Sequence, residues 1–128
     1  ALCGYLADVG GMTGFLALDL HSQRRGLLDV NGVGPETADD ILLYACEQPV
    51  FVIDTYTRRL LQRHALAAGD EPYEVLRAGF ERALPADVNL FQQFHALIVV
   101  HAKQACSKRP ACRRCGIAAS CPASEGSA

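Results

Sequence analysis

Four cysteines lie within sixteen residues near the end of the chain, at Cys106, Cys112, Cys115 and Cys121. Four thiolates at this density can surround one tetrahedral metal ion or one iron–sulfur cluster. Structural zinc sites favour two short Cys pairs separated by a longer insert. This chain has a single pair with two intervening residues and a five-residue spacer on each side, which favours one loop around a [4Fe–4S] cluster. Zinc and two disulfide bonds stay open as alternatives.

A second candidate site is the turn Gly32-Val33-Gly34, which separates two predicted helices. Glycine allows positive φ and the close approach of another backbone, and Val33 is expected to point inward between the helices. Pro35 opens the following helix, whose first N–H groups and positive dipole end suit a phosphate. A plain helix–helix turn is the alternative. The turn does not fit a dinucleotide-binding fold, because no strand precedes it.

Apolar periodicity predicts that helices position both candidate sites. The predicted helices occupy residues 2–9, 14–20, 22–30, 35–46, 55–64, 72–84 and 87–105. Asp54 is placed to cap the helix that starts after it, and residues 50–53 form a short buried connector before that cap. Since the sequence has no alternating strand pattern and no internal repeat, the predicted fold class is all-α.

Composition and charge indicate a soluble intracellular domain with one modest core. The chain has 128 residues, of which 50% are hydrophobic and 20% charged, and no apolar run approaches the length of a membrane span. The net charge of −2 does not by itself indicate a nucleic-acid partner. Basic residues nevertheless gather in two groups, which are Arg58, Arg59 and Arg63, and then Lys103, Lys108, Arg109, Arg113 and Arg114. Such groups can meet a phosphate backbone or form a solvated surface.

The segments GVGPETA and VIDTYTRRL and the four-cysteine loop, in this order, resemble the helix-hairpin-helix DNA glycosylases of the endonuclease III superfamily. The resemblance extends from about Gly26 to Cys121. It implies an all-α helix-hairpin-helix glycosylase fold, with a partial helical barrel and a C-terminal [4Fe–4S] cluster loop. We expect a helical domain over residues 1–105, with the hairpin motif at about 26–46, the cluster loop over 106–121 and a disordered tail over 122–128.

Family members usually carry several more helices before the hairpin. The chain is therefore expected to be an N-terminally truncated member, either the C-terminal part of a longer protein or a short divergent relative. The missing helices would supply a wall of the base pocket. The resemblance also implies a protein that acts as a monomer on double-stranded DNA with a damaged base, and that is cytoplasmic and associated with the nucleoid.

The resemblance assigns roles to particular residues. Asp54 matches the catalytic aspartate, and a monovalent cation is expected on the hairpin carbonyls. The ligands of the cluster are expected to be Cys106, Cys112, Cys115 and Cys121, although the first spacer is one residue shorter than in the best-known members. The expected DNA contacts are Gly32, Val33, Gly34, Thr37 and Arg58.

One position departs from the pattern of the bifunctional family members. Glu36 stands where those members have a lysine that attacks the sugar and forms a Schiff base, and a carboxylate cannot do this chemistry. The only two lysines, Lys103 and Lys108, are distant in sequence. We therefore expect a monofunctional glycosylase, with an alkylated base as one candidate substrate. The alternatives are a bifunctional glycosylase and AP lyase, a non-catalytic DNA-binding module and an iron–sulfur electron carrier.

The chemistry expected of Asp54 follows from the reaction. Cleavage of an N-glycosidic bond builds positive charge on the deoxyribose, and a fixed carboxylate can stabilise that charge and orient or deprotonate the attacking water. A role limited to helix capping is the alternative for Asp54. His95 and His101 fall on the apolar stripe of the last predicted helix, and they are interpreted as packed core histidines.

Overall fold

The computed structural model describes residues 1–124 and is all-helical, which confirms the predicted fold class. Its α-helices are α1 Leu2–Asp8, α2 Gly11–Leu16, α3 Leu20–Leu28, α4 Pro35–Asp40, α5 Thr55–Arg63, α6 Tyr73–Ala83 and α7 Val88–Gln104. A π-helical segment, Ile41–Ala45, continues α4, and two short 3-10 helices, Cys112–Arg114 and Ala118–Ser120, lie in the cysteine loop. None of the helices in this part of the chain is long and apolar enough to cross a membrane.

The second helix begins three residues earlier than the sequence pattern indicates. Gly10 and Gly11 have φ angles of +93° and +72°, so the turn between α1 and α2 is complete within two residues. The chain can then enter α2 at Gly11. The following helix, α3, is capped by Asp19, whose Oδ1 accepts the backbone N–H of Ser22 at 2.8 Å.

The core is centred on the connector of residues 50–53, each of which is no more than 1% exposed. The Phe51 ring stacks on Phe80 with 4.0 Å between centroids. It also meets the edges of the Phe91 and Phe94 rings, with centroids at 5.5 and 5.6 Å. The burial of these residues confirms the predicted connector, and it fixes the backbone that leads directly into Asp54.

A buried carboxylate ties α3, α4 and α6 together. Asp39 is 0% exposed and accepts two hydrogen bonds from Arg24, at 2.7 and 3.0 Å, and one from the Tyr73 hydroxyl at 2.9 Å. The hydrogen bond to Asp39 raises the pKa of the Arg24 guanidinium, and burial raises the pKa of the Tyr73 phenol. Since the Ile53 N–H donates to the same hydroxyl at 3.3 Å, α4 is fixed against the connector.

The segment after α4 widens into a π-helix. The Cys46 N–H donates to the Ile41 carbonyl, five residues back, at 3.1 Å. Leu42 and Leu43 of this segment are fully buried, whereas Tyr44 is 44% exposed. The segment packs against α7, which also packs against α5. Tyr44 is thereby brought next to the two helices that carry Asp54 and His95.

The predicted tail begins inside the described residues and ends outside them. The Ser124 N–H donates to the Cys121 carbonyl at 3.1 Å, and Ser124 is 9% exposed. Residues 125–128 lie outside the part of the chain that the structure describes.

Candidate active site and cysteine loop

Asp54 occupies the N-cap position of α5 and is 7% exposed. Its Oδ1 accepts hydrogen bonds from the backbone N–H of Thr57 at 2.7 Å and from the Thr57 hydroxyl at 2.8 Å. Its Oδ2 lies 3.0 Å from Nε2 of His95 on α7. The carboxylate is therefore held by a helix terminus on one side and by an imidazole on the other.

The surroundings of Asp54 keep it ionised. Burial alone would raise its pKa, but the hydrogen bond from His95 and those from Thr57 together lower the pKa below its ordinary value. A carboxylate has about four acceptor positions, and the described residues fill three of them. One acceptor position on Oδ2 is left for a water or substrate atom.

His95 belongs to this site, and its interpretation as a packed core histidine rather than a metal ligand was incomplete, because both of its ring nitrogens have polar partners. Its Nδ1 lies 2.7 Å from the Tyr44 hydroxyl, and its Nε2 faces Asp54. The hydrogen bond with Asp54 raises the pKa of His95 above its ordinary value. Sequence analysis missed His95 and Tyr44 because 41 residues separate His95 from Asp54. Only a helix-packing prediction that paired α5 with α7 could have brought the two together.

Acidic side chains surround the same point. Desolvation and the charge of Asp54 raise the pKa of Glu36, and burial raises the pKa of Asp40. Glu36 therefore lies within electrostatic reach of Asp54. The region combines one carboxylate with a lowered pKa and two with raised values, a separation that is common where carboxylates have different chemical roles.

The hairpin, residues 31–34, presents two different glycines. Gly32 has a φ of +90°, which disfavours any residue with a Cβ, whereas Gly34 is extended, with φ −92° and ψ 179°. A methyl group added at either glycine would have open space within 4 Å. Val33 packs against the core, as predicted, and its N–H donates to the Val30 carbonyl at 3.1 Å. Gly34 caps α4, and Pro35 follows at its first position.

The other two residues that are expected to contact DNA, Thr37 and Arg58, have different surroundings. Thr37 is exposed in the first turn of α4. The Arg58 Nη1 donates to the carbonyls of Gly69 at 3.1 Å and Glu71 at 2.7 Å, so this nitrogen holds the loop after α5. Helix geometry leaves the N–H groups of the first turn of α4 without an intrahelical partner, which is where an anion would bind.

The four cysteines of the loop line one cavity. The cavity is bounded by Cys106, Cys112, Cys115 and Cys121, together with Arg63, His64 and His101. Two nitrogen atoms face the sulfur atoms: Arg63 Nη1 lies 3.2 Å from Cys106 Sγ, and His101 Nε2 lies 3.7 Å from Cys115 Sγ. His101 is thus placed beside a thiol, and its interpretation as a packed core histidine was also incomplete.

Arginines of α5 hold the loop by its backbone. Arg59 Nε donates to the Cys106 carbonyl at 3.0 Å. Arg63 donates to the carbonyls of Ser107 at 2.7 Å and Lys108 at 3.2 Å. Two of the three arginines that form the first basic group of the sequence therefore organise the cysteine loop.

The four thiols of the loop are a donor set that either an iron–sulfur cluster or a zinc ion can use. Around one tetrahedral zinc the sulfur atoms stand about 3.8 Å apart, which follows from a Zn–S bond of about 2.3 Å. Among residues 1–124, no group of three or more His, Cys, Asp or Glu side chains is close enough to hold a metal ion, and this result does not distinguish zinc from a cluster. Four thiols around a common cavity, with a guanidinium near one sulfur, suit a larger group that carries negative charge.

Two sequence relatives resemble most of this chain. A protein of Methanocaldococcus jannaschii with the provisional name DNA repair glycosylase is 43% identical over 98 residues, which are 77% of this chain and 44% of that protein. Endonuclease III of Sulfolobus acidocaldarius is 28% identical over 103 residues, which are 80% of this chain and 45% of that enzyme. No protein-family profile matches the chain. The matched part of the chain thus covers less than half the length of either relative.

A solved structure of a non-covalent endonuclease III–DNA complex shares the fold. It superposes with a TM-score of 0.76 at 21% identity, and the match covers 96% of this chain and 54% of that one. The similarity of fold agrees with the two sequence relatives and with the order of hairpin, capping aspartate and cysteine loop along the chain. This chain belongs to the helix-hairpin-helix superfamily of endonuclease III.

Proposed function

We propose that this chain carries the catalytic carboxylate and the DNA-binding hairpin of a monofunctional DNA glycosylase, which hydrolyses the N-glycosidic bond of a damaged base. The observation that carries the proposal is Asp54, a buried carboxylate with a lowered pKa that keeps one acceptor position. The names of the two sequence relatives, a DNA repair glycosylase and an endonuclease III, support the same reaction class. An alkylated base is the substrate that we propose to test first.

In this reaction the bond between C1′ and the base nitrogen breaks, and its electron pair leaves with the base. Positive charge develops on the deoxyribose, and ionised Asp54 stabilises it from the open position of Oδ2. Water then attacks C1′, and Asp54 accepts its proton before releasing it to solvent. The target nucleotide must first leave the base stack, because the reacting bond is not accessible within the duplex.

The hairpin and the first turn of α4 bind the phosphate backbone in this proposal. The surface is open to a DNA strand, because Gly32, Gly34 and Thr37 are exposed. The N-terminus of α4 favours negative charge. Backbone donors carry no base information, so this contact sets register and orientation rather than specificity. A monovalent cation on the hairpin carbonyls would add to the same contact. Arg58 would add to it through the guanidinium nitrogens that do not bind the loop carbonyls.

The four cysteines would hold a [4Fe–4S] cluster. The cluster would supply a structural centre that fixes the loop from Cys106 to Cys121. Arg63 would donate toward the sulfur of Cys106 and at the same time hold the loop backbone. The loop then presents its remaining basic residues on a fixed scaffold next to α5, where they can meet DNA.

In this proposal Glu36 takes the place of the lysine that bifunctional family members use, so the lyase step cannot proceed from this position. A carboxylate has no amine with which to attack C1′, so no imine forms there. The proposed product is an intact strand with an abasic site.

The test is incubation of the purified protein with duplexes that each carry one alkylated, oxidised or deaminated base. We expect release of the free base from one of these duplexes, with strand cleavage only after alkali. Borohydride should trap no protein–DNA adduct. An adduct trapped from the unmutated protein would show that another amine acts, and the bifunctional alternative would then replace the monofunctional one.

The same assay separates the enzyme from a non-catalytic DNA-binding module. Such a module would bind all the duplexes and release no base from any of them. Asp54 favours the enzyme, because a module that only grips the backbone does not need a third donor, His95, on its capping aspartate.

A further inference from the structure

We propose that His95 is the positioning residue for Asp54, and that it acts as an imidazolium held between Asp54 and Tyr44. The proposal rests on the proposed function, in which Asp54 is the catalytic carboxylate. His95 itself has no role at the reacting atoms. It fixes the orientation of Oδ2 and keeps the carboxylate ionised.

The geometry makes His95 the residue that fixes Oδ2. Thr57 occupies Oδ1 with two donors, so Oδ1 is already committed to the helix terminus. His95 is the partner of Oδ2, at 3.0 Å, and the His95 and Asp54 side chains are 12% and 9% exposed. With one position of Oδ2 held by the imidazole, the direction of its remaining acceptor position is fixed.

The hydrogen bonds of Tyr44 favour the charged imidazole. The Tyr44 hydroxyl lies 2.7 Å from His95 Nδ1 and 3.3 Å from the Gln92 carbonyl. If both nitrogens of His95 are protonated, Nε2 donates to Asp54, Nδ1 donates to Tyr44, and the hydroxyl proton is available for Gln92. If His95 is neutral with its proton on Nε2, the single hydroxyl proton must go to Nδ1 and the contact with Gln92 is lost. The imidazolium thus makes one more hydrogen bond.

The charges that face His95 favour the same state. Asp54 faces it from the start of α5, and Glu36 and Asp40 face it from α4. Tyr44 faces it from the π-helical segment, and the Tyr44 hydroxyl also contacts the neutral backbone carbonyl of Gln92 on α7. The hydrogen bond with Asp54 raises the pKa of His95, and this direction agrees with the hydrogen-bond geometry in favouring the imidazolium over the neutral ring.

Two pH effects follow, with opposite signs. The folded-state pKa of His95 is raised, so its contribution to stability is complete below the ordinary pKa of about 6.5 and is lost as the pH rises through the raised value. The folded-state pKa of Asp54 is lowered, so its contribution is complete above the ordinary value and is lost as the pH falls through the lowered one. The pair of Asp54 and His95 therefore contributes most to the stability of the fold at pH values between the two ordinary pKa values.

The first test is a proton–nitrogen NMR titration of the imidazole groups, which does not require activity. His95→Gln identifies the signals of His95 by their loss. We expect His95 to titrate above the ordinary histidine value with both nitrogens protonated at neutral pH. Asp54→Asn should lower that pKa, and Tyr44→Phe should change the Nδ1 signal. A neutral His95 at pH 7 in the unmutated protein would overturn the proposal, whatever the activity of the protein.

The second test measures base release in single turnovers. His95→Ala should slow release about 10- to 100-fold, the range for loss of a hydrogen bond to a charged group, with little change in DNA affinity. His95→Gln, which keeps a neutral donor, should recover most of the rate at high pH, with an acid limb that moves to higher pH because Asp54 loses its cationic partner. His21→Gln is the control, because His21 is exposed on α3.

The outcomes of the second test separate the two proposals. If the unmutated protein releases no base, the proposed function fails. The NMR titration still decides independently whether His95 is an imidazolium held between Asp54 and Tyr44. If base release is normal and His95→Ala leaves both its rate and its acid limb unchanged, His95 does not position Asp54.

Discussion

Helix α5 meets the candidate catalytic carboxylate at its first residues and the cysteine loop at its last, and the chain builds these two regions differently. At the start of the helix, Asp54 is held by Thr57 and His95, and the donors are already in place. At the other end, Arg63 and Arg59 bind backbone carbonyls, while the four thiols face a cavity.

The two regions differ in whether a bound metal group is expected to complete them. No buried side-chain nitrogen or oxygen atom within residues 1–124 lacks a hydrogen-bond partner, so the Asp54 region is complete as a polar network. The cysteine loop has only two three-residue 3-10 helices, and its cysteines are half-buried. Short loops of this kind have little apolar core, and a bound cluster would supply the missing cross-links.

The largest expected effect is on the carboxylate end. Asp54→Asn should lower the rate of base release by about a hundredfold to a thousandfold, the usual magnitude for loss of one electrostatic stabiliser of a transition state. Asparagine is as good an N-cap as aspartate, so the helix and the DNA affinity should be retained. Single-turnover kinetics and DNA-binding measurements check this, because the loss should appear in turnover rather than in affinity.

Asp87→Asn is the matched control for that substitution. Asp87 caps α7 in the same way, with its Oδ1 accepting the Leu90 N–H at 3.0 Å, but it is exposed and lies away from His95. Base release should be unchanged in this variant. If Asp54→Asn releases base as fast as the unmutated protein and Asp87→Asn, Asp54 acts only as a cap.

The two ends also differ in how much of them sequence analysis could predict. The hairpin turn and the capping role of Asp54 depend on residues that are close in sequence, where spacing and helix signals are informative. The cysteine ligand set rests on spacing of the same kind and stays a prediction. The helix starting after Asp54 and the buried connector before it were predicted correctly for this reason.

The parts that could not be predicted are contacts between distant elements. His95 looked like one more residue of an apolar stripe, because its polar role depends on the packing of α7 against α5 and the π-helical segment. The early start of α2 depends on the positive φ of Gly10 and Gly11, which composition alone does not reveal. Arg59 and Arg63 read as surface charge, yet they bind the loop carbonyls.

The next effect in size is on the cysteine end. Cys112→Ser should cost the protein its cluster, because a serine hydroxyl, unlike a cysteine thiol, does not readily supply an anionic ligand near neutral pH. The unmutated protein, purified without oxygen, should be brown with about four irons per chain and negligible zinc, following four-thiolate ligation. The variant should be colourless, and residues 106–124 should become sensitive to protease while the helical core stays folded.

Cys3→Ser is the control for the ligand substitution, since Cys3 is exposed and lies outside the loop. Its iron content should be the same as that of the unmutated protein. A colourless, fully folded protein with one zinc per chain would contradict the cluster and restore the zinc alternative.

The smallest expected effect separates the two hairpin glycines, which the sequence treats alike. Gly32 lies at φ +90°, so Gly32→Ala should lower the free energy of unfolding by about 1–2 kcal/mol, the strain of a left-handed residue with a Cβ. Gly34 is extended, so Gly34→Ala should cost only about 0.5 kcal/mol through a weaker N-cap. Denaturant unfolding measures both.

DNA binding should rank the two variants in the opposite order. Gly34 is the N-cap of α4, so a methyl group added there would lie at the helix start, where the proposed phosphate contact is made. Gly34→Ala should therefore weaken binding several-fold on every undamaged duplex at fixed salt, because a backbone contact carries no base information. Gly32→Ala should weaken binding less where the protein is fully folded. If affinity instead follows stability in both variants, the hairpin is a structural turn, and the DNA must be held by the cysteine loop.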